Sequence, residues 1–310
     1  MNKPLRVAVI GAGAIGGYYG CMLARAGHDV HFVARSDLEY VREHGYEIRS
    51  TNETFQIKPA QVYSNPHKIG VVDLVIVALK ATANSHYKEL ITPLVETKTL
   101  VLIMQNGMGN VETMAEHIPA VQILGGLCFV CINRVSPGVI ENYLSGRVYI
   151  GEFMGSYRQR TIDLVTTFEE AGIECYFSKS LDATLWKKLC WNIPFNGLTI
   201  AAGGVTTQEI INDDSFRKLA RLLMEEVRAA ATAYGHSITD DFLEQQFTVT
   251  EGMADYKPSS LIDYLAGRDV EIEAIFGEPL RRGTEKGINM PHLESLYLLL
   301  KGLVASRQQA

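Results

Sequence analysis

Two hydrophobic patterns divide the chain. Up to about residue 180, short β-branched and aliphatic runs alternate with 3.6-period segments; beyond it the strand-like runs stop and helical periodicity takes over. Residues 5–10 (Leu5-Arg6-Val7-Ala8-Val9-Ile10) predict a buried strand, followed by a glycine-rich helix that stops at Gly27 and a second strand over 29–34. A short helix is expected over 39–44, and a hairpin over 46–50 and 53–57 turning at Thr51-Asn52. The apolar run 71–79, ending in Lys80, predicts a central parallel strand, and 99–104 predicts the next. Strands over 124–132, 139–143 and 147–150 follow, mixed in direction because their connections are short, then an amphipathic helix over 157–171 stopped by Gly172 and a strand over 173–178. The remaining expected elements are helices over 182–200, 215–234, 240–250, 270–287 and 291–305.

The first turn carries the first chemistry. Gly11, Ala12, Gly13, Ala14, Ile15 and Gly16 spell G-x-G-x-x-G between a strand and a helix, the context of a dinucleotide-binding loop. Gly11 suits the tight turn, Gly13 admits a pyrophosphate, Gly16 allows close helix–strand packing, and the helix N-terminus offers unpaired N–H groups to phosphate. The competing reading is a plain structural turn. An NAD site places Asp or Glu at the end of the second strand, whereas this chain has Arg35-Ser36, suited to a 2′-phosphate and hence to NADPH/NADP+. Asp37, two residues on, tempers that preference, and a solvated Arg35 is the alternative. Lys80 ends a central strand, where a doubly wound sheet faces its ligand crevice. Asn106, in Gln105-Asn106-Gly107-Met108-Gly109, reads as a ligand for cofactor or substrate carbonyl, or as a helix cap. The fold class is α/β plus all-α: a Rossmann-like doubly wound sheet over 1–178 and a helical domain over 179–310.

Composition narrows the function classes. At 310 residues two domains are expected, and 47% hydrophobic with 21% charged residues is ordinary for a soluble globular protein. A net charge of −6 argues against a general nucleic-acid or anionic-membrane surface, so phosphate binding must be local. The opening apolar run reads as a strand rather than a secretory signal, and no apolar stretch reaches membrane-spanning length. Five cysteines, an odd number, fit reduced thiols and a cytoplasmic location. Cys128-x-x-Cys131 lies in a predicted strand, away from the helix N-terminus a redox pair favours, and no second pair completes a zinc site; no metal is expected.

In the helical half, Lys188, Asn192 and Asn196 stand at i, i+4 and i+8 and form one stripe. Trp186, Leu189, Cys190, Ile193 and Phe195 surround it, so the stripe is expected to be buried for a reason. A solvent-facing stripe is the bland alternative, favoured by the adjacent Lys187, and Pro194 is expected to bend the helix. Glu271 opens the 270–287 segment, where its charge suits a helix start; a surface carboxylate is the alternative.

Taken together, G-A-G-A-I-G, Lys80 after an apolar strand, Q-N-G-M-G, L-W-K-K-L-x-x-N and A-G-R-x-x-E-I resemble the ketopantoate reductase (2-dehydropantoate 2-reductase) family over nearly the whole chain. The last two motifs are the more specific. The resemblance implies a Rossmann-like domain followed by an all-helical one, with the active site in the cleft between. It puts the general acid on Lys188, substrate contacts on Asn192, Asn196 and Ser259 (Ser260 one register on), an acidic partner on Glu271, and cofactor and cleft residues on Arg35, Lys80 and Asn106. The chain departs from the family in having Ala81-Thr82-Ala83 without the glutamine some members use at the adenine phosphate, and Glu273 where many carry Asp.

The implied reaction is reduction of ketopantoate, a small 2-oxo acid, to pantoate in pantothenate biosynthesis, with hydride from NADPH and the proton from Lys188. Two other readings stand beside it: a related NADPH-dependent reductase of another 2-oxo acid, and a nucleotide-sensing module without turnover. Helical C-terminal domains often carry subunit contacts, so a homodimer is an open expectation.

Overall fold

The structure, a computed structural model, describes residues 3–51, 53–155 and 158–308. It divides into two compact units, one of residues 1–105 and 110–181, the other of 106–109 and 182–310.

The first unit is built on a ten-stranded mixed sheet. Its strands are β1 (Arg6–Ile10), β2 (Asp29–Val33), β3 (Tyr46–Ser50), β4 (Thr54–Ile57), β5 (Gln61–Tyr63), β6 (Leu74–Val77), β7 (Leu100–Ile103), β8 (Ile123–Ser136), β9 (Val139–Glu152) and β10 (Glu174–Phe177). The order is β4-β3-β9-β8-β7-β6-β1-β2-β5, with β10 beside β9. Helices α1 (Ala14–Arg25), α2 (Leu38–His44), α3 (Tyr87–Ile91), α4 (Asn110–Ala115) and α5 (Gln159–Glu170) complete it. β1 pairs in parallel with β2 and β6, and its side chains are covered on both sheet faces, since Val7, Ala8, Val9 and Ile10 are all fully buried. Helix α1 packs against β1 and β2 and also against β3, β8 and β9, so the sheet curls around it.

The register does the positioning. Ile10 stands opposite both Val33 and Val77, and Val77 opposite Ile103, so β1, β2, β6 and β7 end level with one another. Strand order reverses direction at β1/β6, the place where doubly wound sheets bind ligands beyond their carboxyl ends. The glycine loop, Arg35 and Lys80 all leave the sheet at that edge.

Several elements differ from the periodicity. The two strands expected over 139–150 are one continuous β9, antiparallel to β8 with irregularities that absorb the break in pattern. β5 was invisible because three residues carry no period. Part of the predicted hairpin turn, Asn52, and the predicted start of α5, Tyr157, lie outside the described residues.

The second unit is helical: α6 (Leu181–Ala201), α7 (Thr207–Asn212), α8 (Asp214–Ala233), α9 (Asp240–Glu251), α10 (Ser259–Leu265), α11 (Glu278–Glu285) and α12 (Pro291–Gln308). Trp186, Phe195 and Phe276 are fully buried in its core; burying one phenylalanine contributes roughly 1.5–3 kcal/mol. α6 runs unbroken through Pro194, which deletes one backbone bond without ending the helix. α7 and α10 escaped the periodicity because each is under two turns long. The helix expected over 270–287 is continuous from Ile272 to Glu285, but its first part, Glu273–Gly277, is a π-helical turn that leads directly into α11.

Candidate active site

In the first unit the glycine loop is shaped by backbone contact. Gly11 has φ +91°, and a Cβ there would lie 2.6 Å from the Leu79 nitrogen. A Cβ on Gly16 would lie 2.3 Å from the Gly11 carbonyl oxygen. At Gly13, by contrast, a Cβ would meet nothing within 4 Å. Gly13 is the N-cap of α1 and has no side chain to occupy the helix's first N–H groups. Closed behind, open in front and uncapped, this cradle fits a pyrophosphate.

Beyond β2, Arg35 and Ser36 are exposed while Asp37 is buried. Ser36 Oγ donates to Asp37 Oδ1 at 2.8 Å, and Gly138 N donates to Asp37 Oδ2 at 3.3 Å. Arg134, near the end of β8, donates through Nη1 to Asp37 Oδ1 and, at 3.1 Å, to Ser36 Oγ. Burial acts to raise the Asp37 carboxyl, but the hydrogen bonds from Arg134 and Ser36 outweigh it and hold the group below the usual carboxylate value. Arg134 has no local sequence signal: it lies 97 positions from Asp37. Lys80 follows β6, precedes a short 3₁₀ segment and is half-buried.

In the second unit the stripe on α6 is buried: Lys188 is 8% exposed, Asn192 6% and Asn196 3%, whereas the neighbouring Lys187 is exposed. Burial decides between the two readings of that stripe. Lys188 Nζ donates to Asn106 Oδ1 at 2.8 Å, joining segments 82 residues apart. Helix α4 begins only at Asn110, so Asn106 is not its cap. The loop bearing Asn106 docks on the π-helical turn: Met108 N donates to the Ala274 carbonyl at 2.8 Å, and Gly107, at φ +84°, lies against the same backbone. Single π turns occur often at functional sites. Glu271, two residues before that turn, is 4% exposed, so the surface reading of it fails.

Asn196 has a scaffolding part as well. Its Nδ2 donates to the Asn192 carbonyl at 2.9 Å, and its Oδ1 accepts from Ser260 N at 3.3 Å. Asn196 thereby fixes the start of α10, where Ser259 is half-buried and Ser260 buried. At the other end of α10, Gly267 takes φ +67° and Arg268 Nε donates to the buried Asp263 at 2.9 Å, which accounts physically for the A-G-R triplet before Glu271. The candidate residues thus fall in two sets, the glycine loop, Arg35 and Lys80 on the sheet, and the buried Lys188, Asn192, Asn196 and Glu271 in the helical unit. No group of side chains suited to a metal ion occurs among the described residues.

The order of these features along the chain is that of a known family. The profile of ketopantoate reductase PanE/ApbA matches residues 7–155, and that of its C-terminal part matches residues 180–304. The chain belongs to the ketopantoate reductase family. A 2-dehydropantoate 2-reductase of a Nostoc species is 39% identical over 303 residues, spanning 96% of this chain and 95% of that protein. Among solved structures, a 2-dehydropantoate 2-reductase from Geobacter metallireducens superposes with a TM-score of 0.94 at 43% identity, covering 96% of this chain and 99% of its own. One from Methylococcus capsulatus superposes at 0.89 with 33% identity, covering 98% of each chain.

Proposed function

We propose that this ketopantoate reductase family member reduces 2-dehydropantoate to pantoate with NADPH, residues 1–178 holding the cofactor and 179–310 supplying substrate and acid chemistry. The single observation behind the reading is the buried Lys188 ammonium held 2.8 Å from Asn106 Oδ1, in a family whose named members are 2-dehydropantoate 2-reductases. Asn106 takes one of the ammonium's three N–H donors and fixes the head group.

Bound NADPH supplies the hydride chemistry. Gly11, Ala12, Gly13, Ala14, Ile15 and Gly16 would cradle its pyrophosphate and Arg35 would take its 2′-phosphate, with Lys80 and Asn106 as further cofactor-binding residues. As hydride reaches the carbonyl carbon, negative charge grows on the oxygen. Lys188 stabilises that charge and delivers the proton, leaving a neutral amine that regains a proton from solvent. Asn192, Asn196 and Ser259 fix the substrate oxygens. Glu271 is tied to this group through the π-helical turn: Ala274, three residues on, carries the carbonyl that anchors Met108. There it orients Lys188 or binds the substrate hydroxyl.

The partner is a small 2-oxo acid, in keeping with a net charge of −6 and with no helix among the described residues long and apolar enough to cross a membrane. All five cysteines are buried and no disulfide joins the described residues, which supports a reducing, cytoplasmic setting. A homodimer is the assembly to test by sedimentation.

The deciding experiment follows NADPH oxidation with ketopantoate and with other 2-oxo acids, in the wild type and in Lys188→Ala, with NADPH binding measured separately. The expected result is turnover on ketopantoate that falls roughly 10²–10⁴-fold in the variant while NADPH still binds. Turnover only on another 2-oxo acid displaces the substrate and keeps the mechanism. NADPH binding without turnover in either form makes the protein a sensor.

A further inference from the structure

The carboxylate beside the cofactor's predicted phosphate end is already spoken for. Asp37 lies two residues beyond Arg35, close to where an NAD-binding protein keeps the acid that accepts from the ribose hydroxyls. Here Oδ1 accepts from Arg134 and Ser36, and Oδ2 from Gly138 N. The side chain is 4% exposed, so its acceptors point into the protein.

The group that occupies Asp37 arrives from far along the chain. β8 and β9 are each 14 residues long and curl past α1, which brings their connecting turn to the segment after β2. The ladder shifts register between Arg134 and Ser136, an irregularity of the kind that re-aims a side chain. The bonds Arg134 makes run through Nη1, its side chain is 35% exposed, and it touches Ser36, the immediate neighbour of Arg35. A guanidinium has five N–H donors in a planar fork, so one occupied nitrogen leaves an edge for a further anion.

We propose that Arg134 is a specificity-determining residue for the phosphorylated dinucleotide: it neutralises Asp37 and presents a second guanidinium, beside Arg35, to the 2′-phosphate. This rests on the reading of the glycine loop as an NADPH site. A 2′-phosphate carries close to two negative charges at neutral pH, which one exposed arginine next to a bare carboxylate would hold poorly. Two guanidinium groups with the carboxylate turned inward match it.

The test is the binding of NADPH and NADH by isothermal titration calorimetry, since the two ligands differ only in that phosphate. Wild type is expected to prefer NADPH. Arg134→Gln lowers NADPH affinity about tenfold or more and leaves NADH within about twofold. Arg134→Lys, which keeps the charge and loses the fork, gives a smaller loss of the same sign. Asp37→Asn moves the preference the other way, because it releases Arg134 from its counter-charge. A purely structural ion pair predicts instead that Asp37→Asn and Arg134→Gln act alike and weaken both ligands equally, and that result overturns the proposal. A wild type that prefers NADPH with variants that keep the full preference overturns it too, leaving the cofactor reading to Arg35 alone. A wild type without preference overturns both.

Discussion

The Asn106–Lys188 contact depends on the glycine that follows Asn106. Gly107 sits at φ +84°, and a Cβ there would lie 2.4 Å from both the carbonyl carbon and oxygen of Ala274. That is about 1 Å short of ordinary contact, and the obstacle is backbone rather than a side-chain tip that could swing away. In Gly107→Ala the left-handed conformation costs about 1–2 kcal/mol. Relieving the overlap lifts the loop by roughly 1 Å and breaks the Met108–Ala274 hydrogen bond, worth about another 1 kcal/mol. The same shift stretches the 2.8 Å bond between Lys188 and Asn106 beyond hydrogen-bonding range. Misplacement on that scale costs about 100-fold in rate. Steady-state kcat and KM for ketopantoate reduction, with urea unfolding as the measure of stability, should show both losses. Gly109→Ala is the control: φ there is +87°, but the nearest atom to a Cβ is Glu278 Cγ at 3.5 Å. It bears the conformational cost without the overlap and should keep most of its activity. A Gly107→Ala enzyme within about threefold of wild type, or a Gly109→Ala enzyme equally damaged, would refute the docking argument.

Two further outcomes follow from the first unit. Gly11→Ala, with its Cβ 2.6 Å from the Leu79 nitrogen at φ +91°, should weaken NADPH binding more than tenfold by calorimetry; binding within about twofold of wild type would remove the loop from the cofactor site. Asp37, held below the ordinary carboxylate value, contributes stability that is fully present above about pH 4 and is lost as pH falls through its lower native value. The urea midpoint should therefore drop less steeply with acid in Asp37→Asn than in wild type, and parallel curves would contradict the assignment.

Local pattern settled much of this protein. β-branched runs marked the parallel strands because a strand covered on both faces must be apolar where it is buried, as β6 and β7 are throughout and β1 is beyond Arg6. The glycine spacing and the i, i+4, i+8 stripe on α6 were legible because each belongs to one element with a fixed period. The structure alone decided that Lys188 is buried while Lys187 faces solvent, that Glu271 is interior, and that a π-helical turn anchors the loop bearing Asn106. It also set Arg134 on Asp37 across 97 positions. Periodicity reports which face of an element avoids water; it carries no information about which distant element supplies the other half of a hydrogen bond or ion pair. That choice is made by strand order, register and curl, and at this site it determines which charges stand together.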